Sequence, residues 1–173
     1  MSKEEKLEKK AHHEHDDLAG EHKFGDSGQL ILFAVFIVVW IADSFILHYT
    51  DFPAQYISFY IRIGLASVIF VFGGYLAMAS HNILFKEKRE IPAVIRKGIF
   101  GTVRHPLYLG SILFYLGLLI ITCSLIAAGI WLIIIGFYHF IARYEEKLLL
   151  EKFGEDYIRY MKKVPMWVPR TVK

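Results

Sequence analysis

Four apolar blocks constrain this chain more than any other feature. Leu30 to Leu47 is interrupted only by Asp43 and Ser44, and Tyr56 to Met78 carries one charge, Arg62. Leu107 to Thr122 and Ser124 to Phe137 carry none. A membrane-spanning helix needs about 20 mostly apolar residues, with about 17 acceptable. The blocks therefore predict an all-α, polytopic membrane protein of four spans, near 30–48, 55–79, 107–122 and 124–141. The last two form a helical hairpin about a turn at Thr122, Cys123 and Ser124. A soluble four-helix bundle would need polar faces, which these segments lack.

Charge sets the expected orientation. Lys86, Lys88, Arg89, Arg96, Lys97 and Arg104 crowd the loop 82–106, and Arg143, Lys147, Lys152, Arg159, Lys162, Lys163, Arg170 and Lys173 follow the fourth block. The loop HYTDFPAQY and the turn at Cys123 contain no Lys or Arg. By the positive-inside rule both termini and the basic loop face the cytoplasm, and a site for chemistry belongs on that side. The partner implied is the lipid bilayer, not nucleic acid. One cysteine excludes an intramolecular disulfide.

The first 28 residues are rich in both signs of charge and poor in large apolar side chains, so a disordered tail is expected there. It precedes a domain over 29–173. The first apolar block follows this charged segment and lacks a small-residue cleavage pattern, so it does not read as a secretory signal. His12, His13, His15 and His22 stand in the tail with no element to fix their geometry, and no metal site is expected. At the other end, within 143–173, Phe153, Tyr157, Tyr160, Met161 and Val164 recur at helical spacing among Lys and Arg. This reads as a C-terminal amphipathic helix, suited to the headgroup level of a membrane or to packing on its own protein.

Asp43 and Arg62 are the charges inside the expected spans. Such residues normally face the bundle interior and find a partner. Their depths agree within one helical turn, which favours a structural ion pair over a part in proton or ion transport.

Folding the last two blocks about Cys123 brings Gly117 level with Gly129 and Gly110 level with Gly136. Small residues at matched depth let membrane helices approach closely. The same register brings Arg104 and His105 to Glu145 and Glu146. Such a cluster is either a set of interfacial anchors or a ligand site. Pro106 suits the first turn of a helix, Gly110 would admit a ligand to the backbone, and adjacent glutamates point about 100° apart. One carboxylate then faces a ligand while the other ties down an arginine. A ligand carrying a carboxylate, an ammonium and a ribose suits that arrangement.

The ordered pieces Gly98, Phe100, Arg104-His105-Pro106, Tyr108, Gly110, then Glu145-Glu146, Leu149, Phe153-Gly154, Tyr157 and Tyr160 resemble the isoprenylcysteine carboxyl methyltransferase and phospholipid methyltransferase superfamily. The resemblance covers roughly Gly98 to Pro165. It implies an integral membrane methyltransferase using S-adenosylmethionine, with a cofactor pocket facing the cytoplasm and a lipophilic substrate entering from the bilayer. That acceptor would be isoprenylcysteine carboxylate-like or phospholipid-like. By the same resemblance His105, Tyr108, Leu109, Gly110, Glu145 and Glu146 are cofactor-site candidates, and Arg104, Arg143 and Glu146 are candidates for the catalytic centre. Tyr108 or Tyr144 offers a ring face to a sulfonium. Membrane reductases of the sterol type, which use NADPH, resemble the motif too, but usually show Asn where Leu107 stands and Glu where Ser111 stands. A transporter resting on Asp43 and Arg62, and a non-catalytic scaffold, are the other readings.

Overall fold

The computed structural model describes residues 25–86 and 93–169, and every regular element among them is helical. Helix α1 (Gly25–Ile41) continues into a π-helical turn, Ala42–Leu47. A 3-10 turn at Phe52–Tyr56 leads to α2 (Phe59–His81), and another at Gly98–Gly101 precedes α3 (Pro106–Thr122). Helices α4 (Leu125–Phe153) and α5 (Glu155–Lys163) follow. The four tail histidines, with Lys88 and Arg89 of the basic loop, lie outside the described residues.

Among the described residues, three stretches are long and apolar enough to cross a membrane: Ser27–Leu47, Phe59–Leu84 and Leu125–Phe153. Helix α3 is apolar but has only 17 residues. At about 1.5 Å per residue it reaches roughly 26 Å, against a hydrocarbon core of about 30 Å. Pro106 bounds it at one end, and Cys123, in the left-handed conformation at φ 56°, bounds it at the other. Helix α4 exceeds its expected length. It does not stop near 141 but carries Arg143 to Glu146 on an unbroken helix to Phe153. Gly154 ends it at φ 51° and ψ −126°, a conformation open to glycine and strained for other residues. The segment 143–173, expected to lie at the interface, thus begins as the last turns of α4. The tyrosines of α5 turn inward: Tyr157, Tyr160 and Val164 form a buried cluster with Leu149, Leu150 and Phe153 against them.

The glycine seam lies elsewhere than the hairpin register suggests. Helices α2 and α3 make the most extensive contact of any two, and Gly73 and Gly110 are where their backbones meet. A Cβ at Gly110 would stand 2.8 Å from the Gly73 carbonyl oxygen, and one at Gly73 3.2 Å from the Gly110 carbonyl oxygen. Gly117 faces the ring of Phe70 on α2, whereas Gly129 and Gly136 have nothing within 4 Å of a built Cβ. Where α3 and α4 meet, Phe36 of α1 joins them, fully buried with Ile112 and Tyr115 of α3 and Ala127, Ile134 and Tyr138 of α4. Large side chains fill that space, so the two hairpin helices need no small-residue contact.

The ion pair between Asp43 and Arg62 is likewise replaced. Asp43 is 2% exposed. Its carboxylate accepts hydrogen bonds from Thr50 N at 3.1 Å, Thr50 Oγ1 at 2.5 Å and Ser124 Oγ at 2.5 Å. Ser124 caps α4 by accepting from Ala127 N, and Thr50 takes the amides of Leu125 and Ile126 on its carbonyl and hydroxyl oxygens. Asp43 therefore organises the N-terminus of α4, whose dipole favours negative charge. Arg62 donates to the carbonyls of Ile57 and Ile121, the latter in the last turn of α3, where a cation is favoured. Both charges reach the same turn, as their matched depths suggested, but each serves a helix end. The transporter reading, which rested on this pair, loses its support.

Asp43→Ala should lower stability in detergent by about 3 kcal/mol, since three donors lose their acceptor at once. Arg62→Leu should cost less. With no bond joining the two residues, the losses should add within about 0.5 kcal/mol in a double-mutant cycle followed by thermal melting. A larger coupling would reinstate the direct pair.

Candidate active site

His105, at φ −122° and ψ 60°, precedes Pro106, and its carbonyl accepts from Leu109 N at 3.0 Å to open α3. Proline at the first helical position is the expected start, and the residue before it stays out of the α region that proline disfavours. The unbroken α4 runs past this point and sets Glu145 and Glu146 beside it. Arg104 Nε stands 2.7 Å from Glu146 Oε1, with both side chains buried. His105 Nε2 lies 3.2 Å from the same oxygen, and Nδ1 lies 3.7 Å from Glu145 Oε2. Tyr108 donates its hydroxyl to Glu145 Oε1. Its ring lies parallel to that of His105, with centroids 5.8 Å apart.

The rest of the chain braces this cluster. Arg104 Nη1 donates to the carbonyls of Met161 and Val164, both at 3.1 Å, and Arg104 N donates to Pro165 O at 3.0 Å. One arginine thus holds Glu146 on α4 and the end of α5 together. Tyr160 donates its hydroxyl to Phe100 O at 2.7 Å. Burial pushes that hydroxyl up to about 12, so it keeps the proton it donates. Arg96 pairs with Asp156 at 2.6 Å and holds its carboxyl below the usual range.

Of the residues expected at the site, Arg104, His105, Tyr108, Glu145 and Glu146 are brought together. Leu109 is half-buried on α3, and Arg143 and Tyr144 are exposed on α4. Gly110 serves the contact with α2: the space beside it is taken by Gly73 and Ala77, because helix backbones approach there. Two aromatic neighbours were not foreseen. Trp167 lies 5.8 Å from the His105 ring and donates Nε1–H to His139 Nδ1 at 3.2 Å. No local pattern marks either residue; both are found by the return of the chain after α5.

Two buried atoms of the cluster are unfinished: Arg104 Nε, which meets Glu146 Oε1 as an ion pair without a hydrogen bond, and Glu146 Oε2. Glu146 is 2% exposed, and its Oε2 has no hydrogen-bond partner among the described residues. Leaving a buried carboxylate oxygen without a donor is costly, and such an atom points to a ligand group that supplies one. Among the described residues no group of three or more His, Cys, Asp or Glu could hold a metal ion.

The family model for phospholipid methyltransferase matches residues 56–156, more than half of the sequence. The chain belongs to the phospholipid methyltransferase family. It is similar to the protein-S-isoprenylcysteine O-methyltransferase of Mus musculus, 27% identical over 90 residues that cover 51% of this chain and 32% of the mouse protein. Protein-S-isoprenylcysteine O-methyltransferase B of Arabidopsis thaliana is 31% identical over 94 residues, 52% of this chain and 47% of the plant protein. The Saccharomyces cerevisiae protein-S-isoprenylcysteine O-methyltransferase is 32% identical over 92 residues, 52% of this chain and 38% of its own length. The matched stretches span 32% to 47% of the length of these relatives. Together with the three long apolar helices, membership of this family makes the chain an integral membrane protein. The matched residues include α2, α3 and α4 with the whole Arg104–Glu146 cluster, and they exclude α1 and Trp167.

Proposed function

We propose that the protein is an S-adenosylmethionine-dependent membrane methyltransferase acting on a lipophilic acceptor, with its donor site at the Pro106 end of α3. The observation that carries the reading is the buried, donor-less Oε2 of Glu146 beside Arg104 and His105. S-adenosylmethionine fits the residues present. Its ammonium and ribose hydroxyls are donors for Glu146 Oε2 and for the Glu145 carboxylate, and its adenine and sulfonium suit the rings of His105 and Tyr108. When bound, it supplies an electrophilic methyl group.

The chain's own part is placement. In-line methyl transfer needs little covalent help, and holding two reactants in register supplies much of the rate. Arg104 holds Glu146 in place while pinning the end of α5. Glu145 is oriented by Tyr108. Arg143 stands one turn from His139 on α4, exposed, where an anionic group of the acceptor can reach it. Leu109 belongs to the apolar wall of the site. The acceptor chemistry that fits is an isoprenylcysteine carboxylate or a phospholipid amine, both of which reside in the bilayer. We read the orientation as both termini and the site on the cytoplasmic side, with α3 as a fourth, short span, following the basic loop and the Lys- and Arg-rich C-terminal part.

Protein purified in detergent should bind S-adenosylmethionine and S-adenosylhomocysteine by titration calorimetry, and should give no heat with NADPH. Radiolabelled methyl donor added to membranes containing the protein should pass label to the lipid or protein fraction. Folded protein that binds NADPH, or neither methyl-donor ligand, would remove this reading in favour of the reductase or the scaffold. Cysteines introduced at Lys88 and Lys163 of a Cys123-free variant should react with an impermeant thiol reagent only in opened cells. Labelling of intact cells would reverse the orientation.

A further inference from the structure

Trp167 occupies a place the mechanism above does not use. Arg104 fixes the chain at Met161, Val164 and Pro165, and two residues later the indole of Trp167 reaches across from α3 to α4. Its ring lies 5.8 Å from His105 and 6.3 Å from His139, with Nε1–H donated to His139 Nδ1 at 3.2 Å. His139 precedes Glu146 by seven residues. That is two turns, or about 10 Å, along α4 toward its Cys123 end. Trp167 therefore stands beside the His105 ring at the level of His139, toward the bilayer-embedded part of α4 from the Glu145 and Glu146 carboxylates.

That position has a chemical consequence. The polar donors of a bound methyl donor are drawn to the Glu145 and Glu146 carboxylates, whereas its methyl group has to face an acceptor arriving from the bilayer. The positive sulfur then lies toward Trp167. An indole face is the strongest of the side-chain rings at holding a cation, more so where water is excluded. We propose that Trp167 is a binding residue for the sulfonium of the methyl donor, and that His139 is a positioning residue that sets its ring. The proposal rests on the methyltransferase reading and deepens it. It gives the site a means of preferring the charged donor over the uncharged product, whose shape is nearly the same. The bond to His139 at one edge, with the backbone held by Arg104 at Pro165, restricts the rotation of the indole.

The test compares two ligands that differ in that charge. Dissociation constants for S-adenosylmethionine and S-adenosylhomocysteine are measured by calorimetry on the full chain in detergent, with thermal melting as the folding check. Trp167→Leu should weaken S-adenosylmethionine roughly tenfold and leave S-adenosylhomocysteine within about twofold. Trp167→Phe should lose about threefold for the sulfonium alone, since benzene holds a cation less strongly than indole. It decides the matter if the leucine variant does not fold. His139→Asn keeps an acceptor near the position of Nδ1 and should behave as wild type, while His139→Leu should move the ratio of the two constants toward that of Trp167→Leu. Equal weakening of both ligands would make Trp167 a lid or a packing residue and overturn the proposal, as would no change in either. Absence of heat with both ligands in the wild type would remove the methyltransferase reading itself, and this proposal with it.

Discussion

Glu146→Gln is expected to cost about 3–5 kcal/mol of stability in detergent and at least tenfold in affinity for S-adenosylmethionine. The stability loss follows from burial on both sides of the pair, with side chains 9% exposed for Arg104 and 3% for Glu146. Removing one charge leaves the other without compensation in a place water cannot reach. The affinity loss follows from Oε2, the oxygen that lacks a donor: an amide there offers less to an ammonium or hydroxyl than a carboxylate does. Arg104→Met in the same background should recover part of the stability, because the stranded cation is gone. It should recover none of the affinity. Equal melting temperatures for wild type and Glu146→Gln would mean that the pair is solvated and that the site is not closed as described. Glu145→Gln should be milder in stability, because Glu145 is less buried than Glu146.

Gly110→Leu is expected to disrupt the packing of α2 on α3 by more than about 3 kcal/mol, and Gly110→Ala to cost about 1–3 kcal/mol. The obstacle is backbone: the Gly73 carbonyl oxygen stands 2.8 Å from a Cβ at position 110, and Ala77 N stands 3.3 Å away. No rotamer change relieves that contact. Gly129→Ala and Gly136→Ala make the contrast, since nothing lies within 4 Å of their built Cβ atoms. Each should gain about 0.5–1 kcal/mol, as alanine gains over glycine inside a helix. Melting of the four variants separates the two seams cleanly. Destabilisation at Gly129 comparable to that at Gly110 would mean that the close contact joins α3 to α4 after all.

The convergence of Arg104 and His105 on Glu145 and Glu146 was legible because it depends on one short turn. Cys123 and Ser124 alone join α3 to α4, so the register of the two helices at their far ends follows from residue spacing. The start of α3 at Pro106 was legible for a similar reason, since proline removes only an amide that the first turn leaves unpaired. Partners across longer connections were not. The depth of Asp43 and Arg62 follows from helix rise, but which neighbour each meets depends on the rotation of its helix. Rotation set Asp43 against Ser124 and Thr50, and Arg62 against Ile121.

By itself, then, the sequence determined the apolar blocks, the helical class and the chemistry gathered at one hairpin end, all properties of spacing along a single helix or a two-residue turn. Tertiary structure alone decided that the glycines of α3 serve α2, that Phe36 of α1 packs against both α3 and α4, and that Trp167 comes back beside His105 to reach His139. The physical reason is the same in each case. In apolar surroundings almost every helix face is greasy, so hydrophobic pattern does not say which face meets which neighbour, and shape has to choose.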